Sequence, residues 1–403
     1  MTTARGLAND FPIRSTDRAH AAAVRTRIHS IDLLRGFVMV VMALDHTRDF
    51  FGASGANPRD VTDPALFLTR WITHFCAPTF ILIAGVSAYL YGARGRSTGE
   101  LSRFLLIRGL WLILIELTVV RFGWRFNFTL DFFAFQVIWV LGASMVVLAA
   151  LVYLPRWAIA SVGLAMIAGH NLLDGIPAQA FGSAAWIWNF VHQPALVKTQ
   201  SGGLFPLYSL VPWIGVMAAG YALGPAIQLE EETRRRVLIR LGAATMIGFV
   251  VLRATNLYGD PAIWTVQDGW LPTVLSFINC EKYPPSLLYL SMTLGPALML
   301  LAVFDGMRGR LADWVITFGR VPFLYYVVHI YLIHLLAVLY AAAAHGDASF
   351  LFTGFPMQKP SDYGLSLFGL YFVWAVVVMT LFPLCRWFAA LKHRRREWWW
   401  SYL

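Results

Sequence analysis

Charge is scarce in this chain. Only 13% of its 403 residues are Asp, Glu, Lys or Arg, whereas soluble domains carry roughly 25%. Hydrophobic residues make up 58%, and the mean hydropathy is +0.61. That deficit excludes a water-soluble globular domain and leaves a multi-pass membrane protein. Cysteine is scarce too. Cys76, Cys280 and Cys385 lack any metal-ligand spacing, so no metal site is expected. Cys76 and Cys280 both map to the outer half, which leaves one disulfide open beside the simpler reading of small buried apolar residues. Residues 1–29 are polar and arginine-bearing without an apolar core, so they are not expected to act as a cleavable leader. That segment reads as a disordered cytoplasmic tail. No internal repeat stands out, and no inner loop is long enough to fold as a catalytic domain of its own. Any chemistry must therefore occur within the bundle.

Apolar runs are what the chain has in quantity. About ten are long enough to span a bilayer, at about 20 residues each. They are Leu33–Phe51, Leu66–Tyr91, Phe104–Val120, Ala134–Leu154, Trp157–Leu172, Phe205–Ala226, Leu241–Ala254, Leu287–Phe304, Ile316–Ala342 and Leu365–Leu384. The expected fold is thus all-α, a polytopic helical bundle over residues 30–388, followed by a basic, tryptophan-rich interfacial tail over residues 389–403. The net charge of +10 is distributed as a membrane protein distributes it. With the N-terminus inside, 21 of the 32 Lys and Arg fall on the cytoplasmic side, which places both termini there. Cations and indoles in the tail suit anionic lipid and the headgroup layer, so lipid rather than nucleic acid is the expected partner. The long outer loops, residues 174–204, 255–283 and 345–363, hold many aromatics and turn formers and suit a lid or vestibule.

A few polar residues inside the spans need explaining. Eleven helical steps return His46 to within about 20° of Arg35, about 16 Å further along the axis. One face of the first span therefore carries a permanent cation near its start and a titratable nitrogen near mid-depth. Such groups are costly in lipid and normally face a polar interior. Asp32 precedes Arg35 by three positions and can pair with it. Asp49 follows His46 by three and can orient an imidazole, or serve as an ordinary boundary charge. His74 lies at the outer edge of the second span, just before Pro78, where an antiparallel neighbour can approach His46. Glu116 is expected to pair with Arg121 or another arginine. In the ninth span Tyr325, Tyr326 and His329 share one face, whereas His334 turns away and reads as a satisfied core residue. The histidines lack the i, i+4 pattern of a helical zinc site.

These residues carry a resemblance. Arg35, ten residues and His46 resemble the Arg-x10-His signature of membrane acyltransferases that O-acetylate polysaccharides. The wider pattern is closer to the heparan-α-glucosaminide N-acetyltransferase-like family, in its uncharacterised bacterial branch. That pattern comprises Ser30 to Gly36, Asp45 to Phe51, Ala77-Pro78 through Ala84-Gly85-Val86-Ser87, Lys282 to Ser286, and Gly319 followed ten residues later by His329. The resemblance implies an enzyme that takes acetyl-CoA from the cytosol and delivers acetyl across the membrane, with no metal. Arg35 would meet the CoA phosphates and His46 would be the catalytic histidine. The lysosomal member has asparagine at the position of His46, places its proposed histidine in the following loop, and has aspartate at the position of His74. Glucosamine specificity therefore does not transfer.

The expectation is an inner-membrane acyl-CoA-dependent acyltransferase acting on a hydroxyl or amine of a small-molecule or glycan acceptor outside the cytoplasm. His46, oriented by Asp49, would act as base or as acyl carrier. His74, or Tyr325 with His329, would hydrogen-bond the oxyanion, and Asp32 and Tyr325 would join Arg35 at the donor. A homodimer is compatible with this reading. A proton-coupled transporter is the competing class, but matching broken helices in a two-fold repeat are missing. A structural or sensor protein would make Arg35 and His46 dispensable.

Overall fold

The computed structural model describes residues 28–353 and 357–395. Most of the expected N-terminal tail, and the tryptophans that end the chain, lie outside the described residues. The chain is mostly helical. Six helices are long and apolar enough to cross a membrane: Pro64–Gly92, Leu210–Ile227, Glu231–Thr255, Leu287–Gly306, Pro322–His345 and Leu367–Arg394. Arg156–Leu173 and Ala178–Val191 pass the same test only together, across a 104° bend. Helices occupy all ten expected positions, but ten full spans are not established.

Helix α1, His29–Phe51, is the axis of the bundle, with sixteen of its 23 residues buried. Its apolar residues surround the whole circumference rather than one stripe, as in a helix covered on every side by protein. The second expected span divides into α2, Pro64–Thr73, and α3, Cys76–Gly92. Helix α4, Thr98–Ile115, starts on a Ser97–Glu100 capping box and passes through a π-helical turn, Glu116–Val120, into the short α5, Arg121–Arg125. Then follow α6 Val137–Leu151, α7 Arg156–Gly169, α8 Ala185–Val191, α9 Leu210–Ile227, α10 Glu231–Thr255, α11 Trp270–Ile278 and α12 Leu287–Val303. The expected ninth span breaks at Val321 into an amphipathic α13, Arg310–Arg320, and α14, Pro322–His345, because proline is favoured at a helix start and lacks the N–H to continue α13. The last helix, α15, is Leu367–Arg394.

Glycine pairs set how closely these helices approach. Gly36 meets Gly319, Gly85 meets Gly220, Gly109 meets Gly142, Gly163 meets Gly215, and Gly242 meets Gly295. A Cβ at Gly319 would lie 1.8 Å from the Asp32 carbonyl oxygen, and one at Gly36 would lie 2.0 Å from that of Val315. Small residues at such crossings let backbones touch where lipid offers no hydrophobic drive for association. The motifs Arg35-Gly36, Ala84-Gly85 and Gly319 thus owe part of their pattern to packing.

A three-stranded sheet caps the end of the bundle where α1 finishes. Phe132–Ala134 runs parallel to Gly202–Phe205, which pairs antiparallel with Val197–Thr199. These strands are too short to announce themselves in the sequence. Arg125 anchors them by a 2.6 Å bond to Asp131, which pushes that carboxyl down to about 2. All three cysteines are free and buried, so no Cys76–Cys280 disulfide forms.

Candidate active site

Helices α1 and α14 lie side by side, and His46 meets His329 across them. His46 Nδ1 is 2.7 Å from His329 Nε2, with the rings stacked at 4.9 Å. His329 is fully buried, and its Nδ1 lies 2.9 Å from the Tyr325 carbonyl oxygen. A carbonyl only accepts, so that Nδ1 carries a proton, and in the neutral ring Nε2 is then a bare lone pair. His46 Nδ1–H must donate to it. His46 Nε2 is consequently left as a lone pair with no partner among the described residues. The residue retains 9% exposure. Trp124 packs edge-on against the ring at 5.0 Å and Tyr326 at 6.3 Å.

A cavity of about 1420 Å³ leads toward this pair from the other end of the bundle. It lies between α1, α3, α4, α6, α13, α14 and α15. Its walls include nine cations, Arg35, Arg94, Arg96, Arg108, Arg310, Arg320, Arg386, Lys392 and Arg394, against the single carboxylate Asp313. Deeper in, the lining turns apolar, with Phe80, Leu112, Leu141 and Met145, and Met42 and Tyr326 reach the wall one helical turn from His46 and His329. Ligand pockets usually enclose ≈300–1,000 Å³, so this one suits a large ligand with an anionic head and a long slender arm.

The other expected site residues fall in several places. Arg35 lines the cavity, but it also bonds Ser87 Oγ at 3.1 Å and the Gly319 carbonyl at 3.4 Å, and meets Asp32 at 3.4 Å. The Asp32–Arg35 pairing is as expected. Arg94, Arg310, Arg320 and Arg386 are less committed, since no hydrogen bond or ion pair ties their guanidinium groups within the described residues.

Asp49 makes no hydrogen bond to His46 among the described residues; Arg48 lies between it and Asp45, reaching Asp49 at 3.0 Å and Asp45 at 2.7 Å. His74 makes no hydrogen bond to His46. Its ring packs against Tyr289 at 5.4 Å, and neither ring nitrogen has a partner. Tyr325 is fully buried behind Phe318 and stacks on His329, so its neighbour Tyr326 is the tyrosine that reaches the cavity. Glu116 forms no pair with Arg121. Its carboxylate accepts from the Trp139 backbone N–H at 3.1 Å, capping the first turn of α6, while Arg121 Nε donates to the Phe132 carbonyl. His334 is a core residue as expected, bonded to the Gly123 carbonyl at 2.8 Å and stacked on Phe126. Among the described residues, no cluster could hold a metal ion.

The basic-rimmed cavity thus comes within one helical turn of a histidine that offers a free lone pair. Residues 27–256, more than half of the chain, match the family described as heparan-alpha-glucosaminide N-acetyltransferase, catalytic. The chain belongs to that family. It is therefore a multi-pass membrane protein of an acyltransferase family. No curated protein sequence matches it. The match holds His46 and Arg35 but ends well before Arg320, Tyr326 and His329. Sequence spacing had shown that Tyr325, Tyr326 and His329 share a face. It had not shown which partner the face meets.

Proposed function

We propose that the protein transfers an acetyl group from acetyl-CoA, bound from the basic face, to a hydroxyl or amine of an acceptor approaching from the opposite side. The basic face would then be cytoplasmic and the membrane a bacterial inner membrane. Phosphate oxygens of the donor suit the guanidinium groups at the rim, which bind such oxygens bidentately. The pantetheine arm suits the narrower apolar part, and the thioester would sit beside Tyr326. His46 Nε2 then removes the acceptor proton as the acceptor oxygen or nitrogen attacks the thioester carbonyl. The carbon–sulfur bond breaks, and the proton passes from His46 to the departing CoA thiolate. His329 holds His46 in the tautomer that leaves Nε2 free, the role a carboxylate plays in a Ser-His-Asp triad. The Tyr326 hydroxyl would stabilise the tetrahedral oxyanion, the part expected of Tyr325. Burial of the histidine pair keeps bulk water from it, which limits thioester hydrolysis.

The observation that carries this reading is the His46–His329 bond one helical turn from the inner wall of a cationic cavity. Purified protein with radiolabelled acetyl-CoA and glucosamine as probe acceptor tests it. His46→Ala should bind CoA but lose transfer by at least about 10²-fold, the usual contribution of a general base. Arg94→Gln with Arg320→Gln should weaken CoA binding. Normal transfer by all these variants would overturn the proposal. A transporter is not favoured, since carriers need no family-matched transferase site.

A further inference from the structure

Arg121 and Arg125 stand four residues apart on α5, so both guanidinium groups leave the helix on one face. They are 8% and 4% exposed. Asp131 is the carboxylate that meets them, and its side chain is 55% exposed. Arg125 Nη1 donates to Asp131 Oδ1 at 2.6 Å and Nη2 to Oδ2 at 3.2 Å, which takes both oxygens. Arg121 Nη2 stays 3.9 Å away, beyond hydrogen-bond length. Glu116, five positions before Arg121, caps α6 instead. The Phe132 carbonyl is already shared, accepting from Arg121 Nε at 3.1 Å and Arg125 Nη1 at 3.3 Å. Two buried donors are left over. Arg121 Nη2 and Arg125 Nε have no hydrogen-bond partner among the described residues.

Both arginines line a second cavity, walled also by Trp124, Phe132, Ala134 and Gln136 and sharing no residue with the donor cavity. Its volume of about 10 Å³ is close to the least that holds one small particle. Two buried cations against one half-exposed carboxylate are costly unless an anion joins them. A water molecule would bring two O–H donors to walls that chiefly donate, whereas a monovalent anion accepts from all of them. We infer that Arg121, Arg125 and the Gln136 amide bind one chloride-sized inorganic anion in this cavity. Phosphate, sulfate and sugar carboxylates are too large for the space. The wall residue Trp124 also packs edge-on against His46 at 5.0 Å and stacks on Phe50 at 5.3 Å. An anion here therefore ties α5 and the first strand to the aromatic wall of the histidine pair, and it does so whether or not acetyl transfer is the reaction.

Thermal unfolding of the full-length purified protein in neutral detergent tests this, with sodium gluconate exchanged for sodium chloride at fixed ionic strength. Gluconate is too bulky to enter. Chloride should raise the midpoint by at least about 2 °C, and the rise should saturate, as binding to the folded state alone requires. Bromide should substitute for chloride. Arg121→Gln should lose the rise. Gln136→Glu keeps both arginines and supplies a tethered carboxylate, so it should unfold at one midpoint in both salts, no lower than that of the parent chain in gluconate. Equal midpoints for the parent chain in the two salts, or a rise that never saturates, overturns the inference. A chloride response in Gln136→Glu as large as that of the parent chain also overturns it, because the ion would then act elsewhere.

Discussion

Replacing His329 with leucine isolates what the histidine pair contributes. Leucine removes the acceptor of the His46 Nδ1–H bond, now 2.7 Å long, and leaves that donor buried against an apolar side chain. An unsatisfied buried donor costs about 1–3 kcal/mol, and His46 can escape that cost by moving its proton to Nε2 or by rotating. Either response withdraws the lone pair that faces the acceptor. If the cost falls wholly on the reactive arrangement, kcat should fall by about 5- to 150-fold. The KM for acetyl-CoA should stay nearly constant, because His329 is not part of the cavity wall. His329→Gln offers a carbonyl oxygen in place of Nε2 and should recover part of the rate. Single-turnover transfer of labelled acetyl, with CoA affinity measured separately, gives both quantities. Wild-type kcat in His329→Leu, or a loss confined to KM, would refute the tautomer argument.

Three further outcomes are expected. Tyr326→Trp should fill the inner end of the cavity and lower transfer at least about tenfold while CoA still binds at the rim; Tyr325→Phe should change little, since that hydroxyl does not reach the cavity. Gly319→Ala should lower stability by about 1–3 kcal/mol or more in a thermal unfolding assay, because its Cβ would lie 1.8 Å from the Asp32 carbonyl and force α13 off α1. Burial pushes Lys359 down to about 8, against the pull of Asp49. Its charge is present below that pH and lost above it, and Lys359→Met should remove this step from the pH dependence of thermal unfolding. The same depressed pKa means the fold binds fewer protons than the unfolded chain between about 8 and 10.4, so this lysine's contribution to stability rises across that window.

Much of the site's first helix was legible from spacing alone. Arg35, His46 and the Asp32 pairing follow from helical periodicity, which is a property of one segment. Periodicity also placed Tyr325, Tyr326 and His329 on one face. It failed where two partners compete for one group. Asp49 has the right spacing to orient His46, but Arg48 sits closer to it in space. Glu116 has an arginine within reach along the chain, yet it caps a helix that begins at Val137. Neighbours on a helix are fixed by geometry, whereas partners across helices depend on how closely the backbones meet.

By itself the sequence determined the class of protein. Too little charge for water, apolar runs along its length and an excess of arginine on alternate loops require a helical bundle in a membrane, and the Arg35–His46 stripe requires something polar for it to face. Only the tertiary structure decided that His329 is the partner of His46, that Tyr326 rather than Tyr325 reaches the cavity, and that Arg48 and Lys282 share Asp45 beyond the pair. The physical reason lies in the glycine contacts. Gly36 against Gly319 brings α1 and α13 to backbone contact, and α14 follows directly from α13 at Pro322. The meeting of two side chains 283 positions apart depends on that crossing, which no local pattern encodes.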